Sequence, residues 1–196
     1  MTARRYGADL EAAIDAAVLQ LLVEQGPSAV TMEAVAAKAR TSKPVLYRRW
    51  PDRRALMRDT LLRASIAAIP HEDTGSYRSD MLALLHGWVR TCSGPGAAVL
   101  RAVIAAMTYD AELAEAFRAG VIGWRKQDMA ALLARGIERG DVRPDVSIDI
   151  ARELAQSVLW HRLLVTGDPI TDDLATQLVD DVLVPYVSPR PSPPAC

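Results

Sequence analysis

An all-α fold of about nine helices is what the sequence predicts, and three observations carry that expectation. Apolar residues recur at three- and four-residue spacing along most of the chain. Alternating apolar-polar runs of the kind that make half-buried strands are scarce. Glycine and proline mark the breaks between the periodic stretches, at Gly26-Pro27, Pro51, Gly94-Pro95, Gly140, Pro144, Gly167 and Pro169.

Each element has its own reason. Leu10, Ile14, Ala17, Val18, Leu21 and Leu22 form one face of a first helix, which Gly26 ends in a left-handed cap. Thr31 stands as the N-cap of a short second helix that carries Met32, Val35 and Ala36 and ends near Ala39. Ser42 caps a third short helix over about 43–49, with Pro44 in its first turn, where proline forfeits no hydrogen bond. Asp52 caps a fourth, whose apolar face is Leu56, Met57, Leu61, Leu62, Ile66 and Ile69. Residues 71–76 read as a polar linker. Helices are then expected over about 77–91, 95–109, 111–139, 148–166 and 172–187. Residues 188–196 hold four prolines and read as a disordered tail.

Composition narrows the function. Half of the 196 residues are hydrophobic and 24% are charged, which excludes wholesale disorder. No apolar run approaches the 18 or more residues of a spanning helix, so no membrane role is expected. The first ten residues show no signal peptide, and the expected compartment is the cytoplasm. Cys92 and Cys196 make neither a disulfide framework nor a zinc site. No metal or cofactor is expected. His71, His86 and His161 lack metal-ligand spacing, and no nucleophile-elbow or phosphate-loop motif occurs, so an enzyme is not expected. The net charge of −1 hides a division: residues 1–69 hold 11 basic against 7 acidic side chains, residues 70–196 hold 12 against 17. Within 31–58 the ratio is 8 to 2.

Residues 31–50 carry the functional signal. Two helices of about two turns, joined by roughly four residues, are too short to persist alone and must bury Val35, Ala36, Ala39, Val45 and Leu46 against the first helix. That is helix-turn-helix geometry, with the second short helix offered to the DNA major groove. Its outer side presents Thr41, Ser42, Lys43, Tyr47 and Arg48, with Arg49, Arg53 and Arg54 beyond. Lysine and short polar side chains suit base edges, while tyrosine and arginine suit phosphate oxygens.

The segment from about Asp9 to Ile69 resembles the DNA-binding domain of the tetracycline-repressor (TetR) family of bacterial regulators. The matching residues are Gly26, Thr31-Met32-Glu33-Ala34-Val35-Ala36, Ser42-Lys43-Pro44-Val45-Leu46-Tyr47, Arg49-Trp50 and Arg53-Arg54-Ala55-Leu56. The resemblance implies a helix-turn-helix domain over 1–69 and a helical effector-binding and dimerisation domain over 70–187. It places Thr31, Tyr47 and Arg53 on phosphates and Lys43, Pro44 and Val45 on bases. One departure stands out: Arg40 occupies a turn position where the family usually has glycine. A left-handed arginine there costs about 1 kcal/mol, unless the turn differs; Arg40 also offers a cation to phosphate.

For the remainder, Ala151, Leu154, Ala155 and Val158 recur at helical spacing, as do Leu174, Leu178 and Val182. In the resemblance these helices form an intersubunit four-helix bundle, hence a homodimer on a palindromic operator in double-stranded DNA. The periodicity alone equally fits an ordinary intramolecular core. Trp88, Cys92, Met107, Phe117, Trp124, Trp160 and His161 are the candidate walls of an effector pocket. Few basic residues are expected inside, which favours an apolar or cationic effector over a polyanion. The function expected is a ligand-responsive repressor; the alternative is a DNA-binding homodimer controlled by a protein partner.

Overall fold

The computed structural model describes residues 7–69 and 73–189. Among them the α- and π-helical residues form nine uninterrupted runs, with a 3-10 turn at Pro27–Ala29 and no strand. In order these are α1 (Ala8–Gln25), α2 (Met32–Lys38), α3 (Lys43–Tyr47), α4 (Arg53–Ala68), α5 (Tyr77–Ser93), α6 (Gly96–Ala106), α7 (Ala111–Phe117) with α8 (Gly123–Arg139), α9 (Ile148–His161), and α10 (Asp172–Leu178) with α11 (Val184–Val187). Three of the expected helices contain π-helical turns, at Arg118–Ile122, Arg162–Thr166 and Val179–Leu183. Sequence spacing does not announce them, because one widened turn leaves the apolar pattern on either side intact. The first includes Gly120, where a Cβ would lie 2.9 Å from the Arg58 Cγ and 3.0 Å from its carbonyl oxygen, so only glycine permits this approach to α4. The helix expected over 95–109 is shorter, ending at Ala106.

The chain divides into two compact units. One holds residues 1–65 and 95–122, the other 66–94 and 123–196. This grouping differs from the division at residue 69 read from the sequence, because α6 and α7 pack with the N-terminal helices. Residues 70–72 and 190–196, including Cys196 and most of the expected tail, lie outside the described residues; Ser188 still donates from its backbone N–H to the Val184 carbonyl at 2.9 Å.

The first unit is held by Ile14, Leu22, Val30, Val35, Leu46, Leu56 and Met57, each at most 2% exposed. Short helices α2 and α3 owe their existence to this burial, since neither has the length to offset nucleation. Trp50 closes the core at the end of α3: its indole N–H donates to Asp59 at 3.0 Å, and the Arg63 guanidinium lies 5.7 Å over the ring. Arg63 also grips Asp15 through two bonds of 2.7 and 2.6 Å, joining α4 to α1.

The second unit packs α5, α8, α9, α10 and α11 around Met81, Leu85, Leu133, Leu159, Val179 and Leu183. Four expected dimer-interface residues, Ala151, Ala155, Leu174 and Leu178, are buried in this unit's own core. The helical register turns those side chains toward neighbouring helices of the same chain, α10 being packed on α5. Leu154 and Val158 are half-buried and Val182 is exposed. No helix among the described residues is long and apolar enough to cross a membrane.

Candidate nucleic-acid interface

The second short helix stands on its buried residue. Leu46 is fully buried, while Ser42, Lys43, Pro44, Tyr47, Arg48 and Arg49 around it are exposed, and Tyr47 shows 53% of its surface. Thr41 and Val45 are half-buried at the edge of this face. α3 therefore presents one hydroxyl, one ammonium, one phenol and two guanidiniums to solvent from a backbone fixed beneath by a single apolar anchor.

The turn that aims α3 has a defined geometry. The backbone N–H of Arg40 donates to the Ala37 carbonyl at 3.2 Å, and that of Thr41 to the Ala36 carbonyl at 2.9 Å. With Arg40 at φ 54°, this is a Schellman closure of α2. Arg40 is the one non-glycine residue of positive φ among the described residues. The turn keeps its form and the arginine bears the strain, about 1 kcal/mol relative to glycine.

At the start of α2, Thr31 accepts a hydrogen bond from Ala34 N–H at 3.1 Å, as an N-cap should, and its own hydroxyl proton stays available to an outside acceptor. Ser42 holds the N-cap position of α3 without a side-chain cap bond, leaving its hydroxyl free to turn outward. Asp52 caps α4 through Ala55 N–H at 2.7 Å.

The basic excess is partly spent inside the unit. Lys43 pairs with Glu33, a hydrogen bond that holds the ammonium above its ordinary pKa and the carboxylate below its own. Lys38 pairs with Glu24 at 3.1 Å and Arg54 with Glu115 at 2.8 Å. Arg40 and Arg48 form no ion pair among the described residues. They are the free cations of the face.

Arg53 is bound within the first unit. Its Nε donates to the Val30 carbonyl at 2.8 Å, and Nη2 donates to the Pro27 carbonyl at 2.8 Å and to Asp110 at 3.0 Å, while Nη1 pairs with Glu112. Burial alone would raise the Asp110 carboxyl, but bonds from Leu113 N–H and Arg53 outweigh it and hold the group below the ordinary range. This guanidinium has four of its five N–H donors engaged inside the unit, leaving one on Nη1. It ties the turn before α2 to the first residues of α7, and the partners lie too far along the chain for spacing to reveal them.

The seven expected pocket residues are divided between the two units. Met107 and Phe117 belong to the first unit; Trp88, Cys92, Trp124, Trp160 and His161 belong to the second, where His161 is exposed and Cys92 is buried. Of the seven, Trp88 alone lines a cavity within the second unit, of about 30 Å³. Arg125, which sequence reasoning left out, is in that cavity's wall and only 5% exposed. No group of three metal-ligating side chains occurs among the described residues.

Comparison with known proteins covers both segments. Residues 13–60 match the family of bacterial regulatory proteins, tetR family, and residues 71–182 match the tetracyclin repressor-like C-terminal domain. A DNA-binding transcriptional repressor of Mycobacteroides abscessus is 33% identical over 185 residues, covering 93% of this chain and 96% of that protein. An uncharacterized HTH-type transcriptional regulator of Bacillus subtilis is 31% identical over 167 residues, covering 85% and 84%. A crystal structure of a TetR family transcription regulator agrees with a TM-score of 0.72 at 33% identity, covering 92% of this chain and 100% of that one.

Proposed function

Because the chain belongs to the tetracycline-repressor family of DNA-binding helix-turn-helix transcriptional regulators, we propose that it is a homodimeric repressor of a palindromic operator, released by a small effector. The observation that carries the DNA-reading part is the α3 face: Lys43, Pro44, Tyr47 and Arg48 exposed around the fully buried Leu46. In this reading Lys43, Pro44 and Val45 meet base edges, with Thr41 and Ser42 beside them. Thr31, Tyr47, Arg40, Arg48 and Arg49 hold phosphates. Arg53 is not among them; it positions α2 by holding the Pro27 and Val30 carbonyls.

Support for dimerisation comes from a partly exposed apolar stripe on the second unit. Ile150, Leu154 and Val158 follow one another at four-residue spacing along α9, and Val165 beyond them is 72% exposed. With Val182 they offer a self-complementary seam for a two-fold pair. Two recognition helices related by a dyad then read half-sites one or more helical turns apart. α4 begins in the first unit and ends in the second, so the chain itself links reader to body. An effector that changed the spacing of the two readers would lower DNA affinity, and DNA would lower effector affinity equally.

A second reading, a homodimer governed by a protein partner, is favoured by the 30 Å³ size of the second-unit cavity, against the roughly 300 Å³ or more of ordinary small-molecule sites. Both are tested by fluorescence anisotropy with labelled duplex DNA from upstream of the protein's own gene. The proposal expects two protomers per site and release of the duplex by a deproteinised cell extract. Binding as a monomer contradicts the dimer, and release only by the protein fraction favours the second reading.

A further inference from the structure

The cavity in the second unit lies among α5, α8 and α9 and has a charged side and an apolar side. Arg125, Asp128, Arg152 and Gln156 make the charged side; Met81 and Met129 are in the apolar one. The Arg125 guanidinium sits 4.4 Å from the centroid of the Trp124 ring and 5.7 Å from that of Trp88, with Asp128 at 3.4 Å. Burial pushes its pKa down to about 10, a sign of how strongly this place resists an uncompensated positive charge. Arg152 adds a second guanidinium. Its Nη1 reaches Gln156 at 3.4 Å and its Nη2 reaches the exposed Glu153 at 2.7 Å, but its buried Nε has no hydrogen-bond partner among the described residues.

We propose that this cavity receives a small carboxylic acid with an apolar body, its carboxylate held on the Nε edge of Arg152 beside Arg125 and its body along Met81 and Met129. Arg125 lies against Asp128 and Arg152 against the exposed Glu153, so it is the unmet Nε–H of Arg152 that calls for a further acceptor. The Nε–H and Nη2–H of an arginine form the two-pronged edge that matches a carboxylate, and the exposed Glu153 holds only one prong. A cationic ligand finds its place taken, because Arg125 already occupies the faces of Trp88 and Trp124 that would attract it. The volume of about 30 Å³ suits little more than a water or two, so the apolar body enters by displacing the two methionines. Their unbranched side chains make this the softest part of the wall. The expectation of an apolar or cationic effector is thereby replaced. Arg125 and Arg152 are the reason.

This inference rests on the effector reading above, and its test separates the two. The full chain is titrated with octanoate, octanamide and octylammonium at constant ionic strength, read by tryptophan fluorescence. Octanoate is expected to saturate at least tenfold more tightly than octanamide, with octylammonium weaker still. Arg152→Gln, with helical circular dichroism matching the parent, is expected to bring octanoate down to the octanamide level; if that variant does not fold, Arg152→Lys is expected to lose at least threefold by giving up the two-pronged edge. Equal binding of acid and amide, tightest binding of the ammonium, no saturable binding of octanoate, or indifference to the Arg152 change each overturns the proposal. If octanoate fails while a deproteinised cell extract still releases operator DNA, the carboxylate class is wrong and the effector reading survives; if neither acts, both fall.

Discussion

Place the two compact units side by side and the disposition of charge separates them. In the first, every charged side chain among the described residues reaches solvent at least in part, and the cations of α3 stand on its outside. In the second, Asp80, Arg125 and Asp128 lie beneath the surface. Asp80 accepts from the backbone N–H and the hydroxyl of Thr74, both at 2.6 Å, and from Arg139 at 3.1 Å. Exposed cations cost little and remain available to an outside polyanion. Buried ones must be matched by fixed partners and so define an internal geometry. In the proposed reading, an extended anion meets the exposed cations of the first unit and a small enclosed one meets the buried groups of the second.

The largest expected effect tests the anchor of the reading helix. Leu46→Ala removes a fully buried side chain beneath α3 and is expected to cost about 2–5 kcal/mol, measured by urea unfolding, with DNA binding lost in parallel. A loss below about 1 kcal/mol would mean that α3 does not depend on this burial.

Next comes the buried charge of the second unit. Asp80→Asn is expected to cost about 2–3 kcal/mol. Burial alone would raise the Asp80 carboxyl, but the bonds from Thr74 and Arg139 hold it below the usual range. A lowered carboxyl contributes stability that is complete above its unfolded value, near 4, and is lost as pH falls through the folded value. The urea midpoint of the parent should therefore fall more steeply from about pH 5 to about pH 3 than that of Asp80→Asn. Parallel profiles would remove Asp80 from the account.

Arg53→Ala sharpens the contrast between a cation that reads DNA and one that braces the reader. It is expected to cost about 2 kcal/mol of stability, as lost bonds to charged groups do, and to leave the slope of log K against log salt unchanged. A slope reduced by about 0.9 is the signature of a phosphate contact and would restore the role expected from the sequence. Arg40→Gly is expected to gain about 1 kcal/mol by relieving the left-handed arginine. The same change should reduce the salt slope by about 0.9 if Arg40 also meets a phosphate. Tyr47→Phe is the mildest: unchanged stability, and DNA binding weaker by about 1 kcal/mol for every sequence, the worth of one hydrogen bond.

Much of the first unit was legible in the sequence because its determinants are local. Thr31 caps α2 and Asp52 caps α4, each within a few residues of its partner, and of the two outcomes the sequence left open at Arg40 the structure shows the positive φ. What escaped was long-range. Arg53 reads as one more cation near DNA until Asp110 and Glu112, more than fifty residues away, are brought to it. Helical spacing placed Ala151 and Leu174 on apolar faces, but a face of small and branched residues reads the same whether its neighbour is another helix of the chain or a second copy. Arg125 was overlooked because a charged side chain is expected outside, and the tryptophan rings and the Asp128 carboxylate beside it become apparent only in the fold.

The central claim is that α3 of two dyad-related copies reads DNA, and its most direct test is selection of bound duplexes from a random-sequence pool by the full-length protein. The expected result is enrichment of an inverted repeat whose half-sites are centred one or more helical turns apart, with the preferred base at one symmetric pair of positions changing in Lys43→Ala. Enrichment of no sequence, of a single asymmetric site, or of the same inverted repeat with undiminished preference in Lys43→Ala would contradict it.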